Sequence, residues 1–596
     1  MASNLARHLL LLWAKGHLSA AQIQLIAAEG RKDGWAPQCP LASRLATLGS
    51  SGTITGHLAR DIVAAARIAG LLSTTAQPYE FKLPGGGGNF SAFLPHEIVH
   101  EMVLQNGLAN LCLSHDELDS PVGVGSMVKK WAAHMDVQYH GDSTEVVGVG
   151  IHGDGVAYTT SIRPGGAKGI LVVSMNIVTT QDDRIKNRRQ PLFVMKKSRA
   201  CTCGCNGYHT MQAIFAIIAW SLQILAAGRS PSCRHDGSPW TSDDRKHRLS
   251  SSIPIAIAAL IQIRGDWEFF ESAFHVRSIG SDLFCWMCQA CKSLGRNNYK
   301  QFSEQADHRD TLISHSQYVE ACVADMTDPP TIFQAPGVEI DVFGNDSMHG
   351  GDLGCFPDAI GSLFWLEISH RGFCPNRTVG LTRLNEQLKA FYSANPERRY
   401  SQIGTVVISQ IISKGLGYPY LKAKAAQTRH LAEFCQALAY RHRRGGDGKP
   451  PFQFPRRHAL AAHTDVHLNH LCSMFDGLVD YHRACAAKPF VPDRCKTSML
   501  KFLDSLSSLN ELWRAHIPEA QHFSQPFHMR QKAHMLLHLV LDKISLWGSP
   551  SQFWNYRDED FIGAIKRMAA TSRFPATIEK RLREKLMILA GLHTYV

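Results

Sequence analysis

The alternation of apolar and polar positions predicts helices at the amino terminus, strands in the middle and helices again over the remainder. In the first 33 residues, apolar positions recur at helical spacing on both sides of a turn at Gly16. Ser19 and Gln22 have the spacing of a capping box, which predicts the start of the second helix. This pattern fits a DNA-binding helix-turn-helix and also an ordinary helical hairpin, and it is followed by a Gly-rich linker at 85–88.

Strand patterns begin at residue 146. The β-branched run 146–151 ends in a predicted turn, His152-Gly-Asp-Gly155, and further strand patterns follow at 157–162 and 170–175. Turn residues at 163–166 separate the last two. The sequence therefore predicts a meander of three strands in this part of the chain.

Helical patterns dominate after the strands. An apolar segment at 211–227 contains polar residues, and we expect it to be a helix of a soluble protein, too short and too polar to span a membrane. A buried apolar element at 253–263 runs into Gly265-Asp266, and nearly everything after residue 350 is helical apart from a basic loop at 443–451. Together these elements predict an α+β fold with a large helical insertion.

Composition narrows the class of protein. Apolar residues make up 44% and charged residues 19% of the 596 residues, which excludes a disordered or fibrous chain. The net charge of +12 fits a polyanionic partner without requiring one. The 16 Cys are too sparse for a disulfide scaffold and several have metal-ligand spacing, so an intracellular, reducing compartment is expected.

Two carboxylates follow predicted strands. Asp154 lies between two glycines, and Asp266 ends the apolar element at 253–263. Two such carboxylates on neighbouring strands can bind Mg²⁺, and a pair of ions about 4 Å apart can activate the attacking oxygen and stabilise the leaving oxygen. The alternative for Asp154 is an ordinary Gly-Asp-Gly turn.

Two cysteine clusters predict structural zinc. The first consists of Cys201, Cys203, Cys205 and His209, which supply the four soft ligands of a closed tetrahedral site. Cys233 or His235 are substitutes if one cysteine does not ligate, and a turn with free thiols is the alternative. The second cluster consists of Cys285, Cys288 and Cys291, with His308 as its candidate fourth ligand.

Two further histidine pairs have ligand spacing. His96-Glu97-Ile-Val-His100 has the spacing of zinc metalloproteases, but no third ligand follows, and we expect partly exposed side chains without a converging acid. His534 and His538 are four residues apart on a predicted helix and can ligate a metal. Core or groove-facing histidines are the preferred interpretation of this second pair.

Several motifs occur in the order found in one known family. Residues 263–270, ending a predicted strand at Asp266, are followed by Cys285-Trp-Met-Cys288. Downstream come Met348-His-Gly-Gly-Asp-Leu-Gly354 and the pattern Tyr-x-x-Glu-x-aromatic-x-Gly-x-x-Lys at 556–566. From about residue 146 to the carboxyl terminus, the chain resembles the transposases of CACTA-type DNA transposons.

This resemblance implies an RNase H-like core with a DDE triad of Asp154, Asp266 and Glu559, using Mg²⁺ or Mn²⁺. The chain departs from the family at Gln427, where relatives often have an acid, and an inactive copy would follow if that position held the third acid. Glu433 and Asp352 are the reserve candidates for that role.

The predicted organisation has five parts: a helical region at 1–84, a linker and helical segment at 85–145, an RNase H-like core with zinc-binding insertions at 146–345, a helical insertion at 346–545, and helices that complete the core at 546–596. The predicted function is cleavage and joining of DNA, acting on transposon ends in the nucleus, with a homo-oligomer and no membrane association expected. A zinc-braced, inactive DNA-binding or interaction protein is the main alternative, and a zinc metalloprotease at His96 and His100 is the third.

Overall fold

The computed structural model describes residues 4–34, 39–48, 55–72, 77–84, 87–159, 168–241, 244, 253–293, 295–325, 327–369, 373–374, 376–412, 417–445, 450–517, 525–571 and 578–592. Some predicted features lie outside these described residues: two glycines of the linker, the end of the strand predicted at 157–162, the turn at 163–166, and residues 446–449 of the basic loop.

The helices and strands in chain order are as follows. The helices are α1 (Asn4–Ala14), α2 (Ala20–Lys32), α3 (Pro40–Thr47), α4 (Thr55–Ile68), α5 (Pro95–Asn106), α6 (His115–Asp119), α7 (Gly125–Ala132), α8 (Asp183–Lys186), α9 (Tyr208–Ala227), α10 (Trp267–Phe274), α11 (His315–Ala324), α12 (Phe356–Ile368), α13 (Arg377–Ala394), α14 (Ile408–Ile411), α15 (Ala425–His430), α16 (Ala432–Arg444), α17 (Thr464–Ala486), α18 (Pro492–His516), α19 (Lys532–His538), α20 (Ile544–Trp547), α21 (Pro550–Phe553), α22 (Tyr556–Ala570) and α23 (Ile578–Gly591). The strands are β1 (Tyr79–Leu83), β2 (Gly88–Ala92), β3 (Val146–Ala157), β4 (Gly169–Ile177), β5 (Gln190–Lys196) and β6 (Ile257–Gly265).

The chain forms two compact units. Unit 1 consists of residues 1–276, 315–343 and 556–596, and unit 2 consists of 277–314 and 344–555. The helical insertion predicted at 346–545 falls within unit 2. Unit 2 also includes the segment of Cys285 and Cys288, which the sequence prediction had assigned to the strand-bearing core.

A four-stranded mixed sheet forms the centre of unit 1, in the order β5-β4-β3-β6. The pairs β3–β4 and β4–β5 are antiparallel, whereas β3 and β6 are parallel. A separate antiparallel hairpin joins β1 and β2. The α+β class is therefore confirmed, and its strands form a four-stranded mixed sheet and a two-stranded antiparallel hairpin.

The predicted turn at 152–155 is wrong, because β3 continues through it to Ala157. Gly153, Asp154 and Gly155 pair with consecutive residues of β4. A Cβ atom added to Gly153 would lie 2.1 Å from the ring of Phe269 in α10. The glycine therefore serves close packing of a helix on the strand rather than a reversal of the chain.

The two faces of the sheet carry different helices. On one side, α9 packs against β6, and Phe269 of α10 covers Gly153 and Gly265. By length and composition α9 can cross a membrane, contrary to the sequence expectation, but 67% of its apolar window is buried inside the protein. This burial is that of a core helix.

The other face is covered by helices from both ends of the chain. Side chains of α22 and α23 form one apolar core with those of α1 to α4 and with Ile170, Val172 and Val194 of the sheet. Phe561, Ile562 and Ile565, which recur at helical spacing, supply the apolar face of α22. The helix that carries Glu559 therefore packs on the sheet.

Local helix signals are also confirmed at the amino terminus. Gln22 N donates to Ser19 Oγ at 3.2 Å, and Ser19 N donates to Gln22 Oε1 at 2.8 Å, so the capping box that begins α2 is present.

Unit 2 is helical, with α17 and α18 packed along each other. Its long segment, 344–555, begins and ends at one place, because Asn555 Nδ2 donates to Asp346 Oδ2 at 3.0 Å. Both side chains are buried. This contact is the arrangement expected of a helical excursion whose two ends lie close together.

Candidate functional site

Asp154 and Asp266 lie at corresponding positions of the register of two neighbouring parallel strands, β3 and β6. Gly153 of β3 pairs with Gly265 of β6, so each aspartate is the next residue of its chain. Both aspartates are half-buried. Asp154 Oδ1 accepts from Gly155 N at 2.6 Å, and Asp266 Oδ1 accepts from the Phe269 amide at 2.8 Å as the N-cap of α10. The structure therefore brings these two predicted residues to one end of the sheet.

A buried cluster of polar and charged side chains lies on the same strands, one alternation before the two aspartates. His152 and Arg264 pair in register, two residues before Asp154 and Asp266, so alternation places all four on one face. Asp558 of α22 faces this level and is completely buried. Its carboxylate therefore faces His152 of β3 and Arg264 of β6.

Arg189 is the closest partner of Asp558. Its Nε donates to Oδ1 at 2.5 Å and its Nη2 to Oδ2 at 2.9 Å, which is a bidentate pair. Arg264 Nη2 lies 3.7 Å and His152 Nδ1 3.9 Å from Oδ1. Burial alone would raise the pKa of Asp558, but Arg189, His152 and Arg264 outweigh it, so the pKa lies below its usual range.

Glu559 follows Asp558 and is half-buried. Successive residues of a helix are about 100° apart, so Glu559 lies on a flank of α22 while Asp558 faces the sheet. Phe561 lies on the opposite flank, beside Pro191 of β5 in a small apolar cavity.

The carboxylates of Asp154, Asp266 and Glu559 do not form a closed ligand cluster. Among the described residues, two groups of three or more Cys, His, Asp or Glu ligand atoms lie within 4.8 Å of one another, and neither group contains these acids.

The reserve acids belong to unit 2, whereas Asp154 and Asp266 belong to unit 1. Asp352 is buried, with Oδ1 3.7 Å from His482 Nε2, and Glu433 Oε1 lies 3.4 Å from Arg483. Gln427, where relatives often have an acid, caps the start of α15 by accepting from Lys424 N at 2.9 Å.

A buried Cys₂His₂ cluster lies in unit 2. Cys285, Cys288, His534 and His538 are all buried, and each directs one ligand atom to a common centre. The Nε2 atoms of the two histidines are 3.0 Å apart. Cys288 Sγ lies 3.2 Å from His534 Nε2 and 3.4 Å from His538 Nε2, and Cys285 Sγ lies 3.4 Å from His538 Nε2. A tetrahedral zinc site with bonds of about 2.0–2.3 Å requires edges of about 3.3 Å for N–N and 3.5 Å for S–N. The cluster can therefore bind a metal such as zinc.

Outer contacts orient the histidine ligands. His538 Nδ1 lies 2.6 Å from Asp542 Oδ2, which leaves Nε2 directed at the sulfurs. Arg309 forms a bidentate pair with Asp542 at 2.6 and 2.8 Å. Burial alone would raise the pKa of Asp542, but the hydrogen bonds from Arg309 and His538 outweigh it. The pKa of Asp542 therefore lies below its usual range, and this carboxylate stays ionised.

The ligands have different proton affinities. Burial and the neighbouring Cys288 raise the pKa of Cys285, whereas the hydrogen bond from Cys285 and those from histidines lower the pKa of Cys288. Burial lowers the pKa of His534 to about 4. Burial also opposes the charged form of His538, but hydrogen bonds to Asp542 and Cys288 raise its pKa. These directions favour the thiolate of Cys288 and the neutral imidazole of His534, which are the forms in which the two groups bind a metal.

Cys291 and His308 lie outside this cluster, contrary to the sequence prediction. Cys291 Sγ lies near the backbone oxygens of Ser293 and Asn297, at 3.7 and 3.6 Å. His308 Nε2 lies 3.1 Å from the Gln301 carbonyl, and the His308 ring packs on the His534 ring. Sequence spacing alone does not show that His534 and His538 take these two places, although their i, i+4 spacing on a helix was a usable signal.

The Cys201 cluster is more exposed. Cys201, Cys203, Cys205 and His209 each offer a ligand atom within 4.8 Å of the others, so the structure brings together the four predicted ligands. The Sγ atoms of Cys201 and Cys203 are 3.1 Å apart, and Cys203 Sγ lies 3.3 Å from His209 Nδ1. Cys203 and His209 are exposed to solvent. The loop directly precedes and begins α9.

The metalloprotease pattern does not form a metal site. His96 is buried rather than partly exposed, with Nδ1 2.8 Å from Ser221 Oγ and its ring against Trp220. Neither His96 nor His100 belongs to a ligand group among the described residues.

Comparison of the chain with models of known protein families, and with curated proteins, finds no match.

Proposed function

We propose that unit 1 is the catalytic core of a DDE-type transposase that cuts and joins DNA phosphodiesters with divalent metal ions. The observation that carries the proposal is the level placement of Asp154 and Asp266 at the ends of two adjacent parallel strands. The resemblance of the motifs to CACTA-type transposases supports the same assignment.

The strand order supports an RNase H-like identity for the core. In such a core, three consecutive antiparallel strands form a meander, and a fourth strand pairs in parallel with the first. Here β3, β4 and β5 follow one another along the chain and pair in antiparallel order. After the long helix α9, β6 pairs in parallel with β3. A parallel return of this kind requires a crossover, which α9 provides.

Asp154, Asp266 and Glu559 would hold the metal ions, Mg²⁺ or Mn²⁺, which prefer such oxygen ligands. Bound ions would activate the attacking oxygen and stabilise the leaving oxygen of the phosphodiester. The protein fixes Asp266 through its cap of α10 and positions α22 through the buried Asp558 pair. Asp558 itself is paired with Arg189, and the resemblance assigns the third position of the triad to the neighbouring Glu559.

The two cysteine clusters would act as braces. The Cys285 cluster joins a loop to α19 inside unit 2, and the Cys201 cluster fixes the loop that starts α9 in unit 1. Closed four-ligand sites hold structure rather than substrate, because no position stays open. Zinc in these sites would stabilise the scaffold while the carboxylates perform the chemistry.

Nicking of supercoiled plasmid DNA by the purified chain, with Mg²⁺ or Mn²⁺, tests this function. Asp154→Asn, Asp266→Asn and Glu559→Gln should each abolish metal-dependent nicking while circular dichroism and melting stay unchanged. Asp136→Asn, an exposed aspartate of unit 1, is the matched control and should nick normally. Wild-type activity in Asp154→Asn would contradict the assignment.

A second candidate is a zinc-braced DNA-binding or interaction protein without nuclease activity. It is favoured by one observation: the three acids do not form a ligand group within 4.8 Å among the described residues, whereas both cysteine clusters do. Metal-independent DNA binding without any nicking, together with bound zinc, would select this function.

A further inference from the structure

The side chain of Lys197, which directly follows β5, reaches across the sheet to α10. Its Nζ lies 2.5 Å from Glu268 Oε1. A Cβ atom added to Gly155 would lie 2.7 Å from the same Nζ. Gly155 directly follows Asp154, and Glu268 lies two residues after Asp266. The ammonium group therefore stands between the chain segments that continue from the two candidate aspartates.

Two glycines make room for the lysine side chain. A Cβ atom at Gly155 of β3 would lie 2.7 Å from Lys197 Cε, and one at Gly169 of β4 would lie 3.1 Å from its Cδ. The stem of Lys197 therefore lies over both strands, in space that side chains at these positions would occupy. This path brings a positive charge from β5 to the end of the sheet where the two aspartates lie.

We propose that Lys197 binds a DNA backbone phosphate next to the phosphodiester that reacts at the carboxylate site. Successive residues of a strand face opposite sides of the sheet, so Gly155 faces away from the side of Asp154. Lys197 occupies the space of a Gly155 side chain and therefore lies on the face opposite to Asp154, on the side of α10. That position suits a neighbouring phosphate rather than the reacting one. The identity of the reacting phosphodiester rests on the proposed function, whereas the phosphate contact of Lys197 is tested independently below.

Glu268 holds the ammonium group when DNA is absent. Lys197 is 46% and Glu268 72% exposed, and ion pairs this exposed are weak because water screens them. A DNA phosphate offers an anionic oxygen in place of the carboxylate, and it also releases condensed counterions when a lysine binds it. Exchange of Glu268 for a phosphate therefore requires little disruption of the protein.

The salt dependence of DNA binding tests this contact. The full-length chain is titrated into a fluorescein-labelled 30-bp duplex, without divalent metal so that no cleavage occurs, at salt concentrations from 50 to 200 mM. Lys197→Ala should weaken binding and lower the slope of log K against log salt by about 0.9, the value for one phosphate on duplex DNA. The affinity ratio of wild type to variant should then fall about 3.5-fold over this salt range.

Lys129→Ala is the matched control. Lys129 is also 46% exposed and pairs with one exposed carboxylate, that of Asp119, at 2.6 Å. It lies on α7, which contacts the turn before β3 and so lies at the other end of the sheet. Its slope should equal that of the wild type. Glu268→Gln should tighten binding, and the gain should vanish in a variant that also carries Lys197→Ala.

The outcomes separate this contact from the proposed function. An unchanged slope in Lys197→Ala, an equal slope change in Lys129→Ala, or no measurable DNA binding by the wild type at 50 mM salt overturns the phosphate contact. If Asp154→Asn still nicks DNA while Lys197→Ala lowers the slope, the phosphate contact stands and the catalytic assignment fails. If Asp154→Asn is inactive and the Lys197→Ala slope is unchanged, the reverse holds.

Discussion

The buried pair between Asp558 and Arg189 gives a direct test of how α22 is held on the sheet. Asp558→Asn keeps the shape of the side chain and removes its charge. Arg264 and Arg189 are 1% and 6% exposed, so the variant leaves two buried guanidinium groups without their anion. Loss of one partner from a buried ion pair costs about 3–5 kcal/mol, and we expect the free energy of unfolding of unit 1 to fall by this amount.

Urea unfolding of the full-length chain, followed by circular dichroism, measures this loss. The slope is about 1–3 kcal/mol per molar urea for small proteins and increases with size, so a loss of 3 kcal/mol lowers the midpoint by roughly 1 M. Glu559→Gln is the control on the neighbouring residue, which is half-buried on the flank of the helix, and its change should stay below about 1 kcal/mol. Asp558→Asn should thus lower the free energy of unfolding, whereas Glu559→Gln should abolish nicking with little change in stability.

The pH dependence gives a second check. The pKa of Asp558 is depressed in the folded state, so its stabilisation is present above the unfolded value of about 3.9 and is lost as the pH falls below it. The difference between wild type and Asp558→Asn should therefore shrink below about pH 4. A variant within about 1 kcal/mol of wild type at pH 7 would refute the reasoning that these cations require the carboxylate.

Three further predictions concern metal, pH and packing. Metal analysis of the purified chain should find two zinc ions, and Cys288→Ser should leave one, because it removes a ligand of the buried cluster only; wild-type zinc content in the variant would contradict this. Burial among aromatic rings lowers the pKa of His467 to about 3, so the fully neutral imidazole favours the fold above about pH 6.5 and stability falls as the pH drops below it. His467→Phe should remove about 2 kcal/mol of the loss between pH 8 and pH 5, measured by urea unfolding. A Cβ at Gly361 would lie 2.4 Å from the Leu421 amide nitrogen, so Gly361→Ala should destabilise by about 1–3 kcal/mol. A Cβ at Gly563 of α22 would lie 3.8 Å from Arg567 Nη1, an ordinary contact, so Gly563→Ala should stabilise by about 0.5–1 kcal/mol; equal melting temperatures for the two variants would refute this.

Local sequence patterns predicted those features that depend on a few neighbouring residues. The capping box at Ser19 and Gln22 forms because both partners lie within one helical turn. The apolar face of α22 follows from the helical spacing of Phe561, Ile562 and Ile565, which requires no knowledge of what the face packs against. The convergence of Cys201 with His209 is predictable for a similar reason, since the ligands lie within nine residues.

The Gly-Asp-Gly segment shows where local patterns mislead. Two glycines around Asp154 indicate a turn when the segment is considered alone. In the folded chain, main-chain pairing with β4 continues through the segment, and the ring of Phe269 fills the space above Gly153. Packing against a helix more than a hundred residues away, rather than local propensity, decides that this segment is a strand.

The sequence by itself determined the α+β class, the capping box that begins α2 and the first two candidate ligands of the Cys285 cluster. Only the tertiary structure decided that His534 and His538 complete that cluster, that Asp558 rather than Glu559 faces the buried cations, and that Lys197 crosses Gly155. The physical reason is the range of the interactions. Caps and helical faces arise from neighbours along the chain, whereas ligand sets and buried ion pairs join segments whose approach is determined by the packing of the whole core.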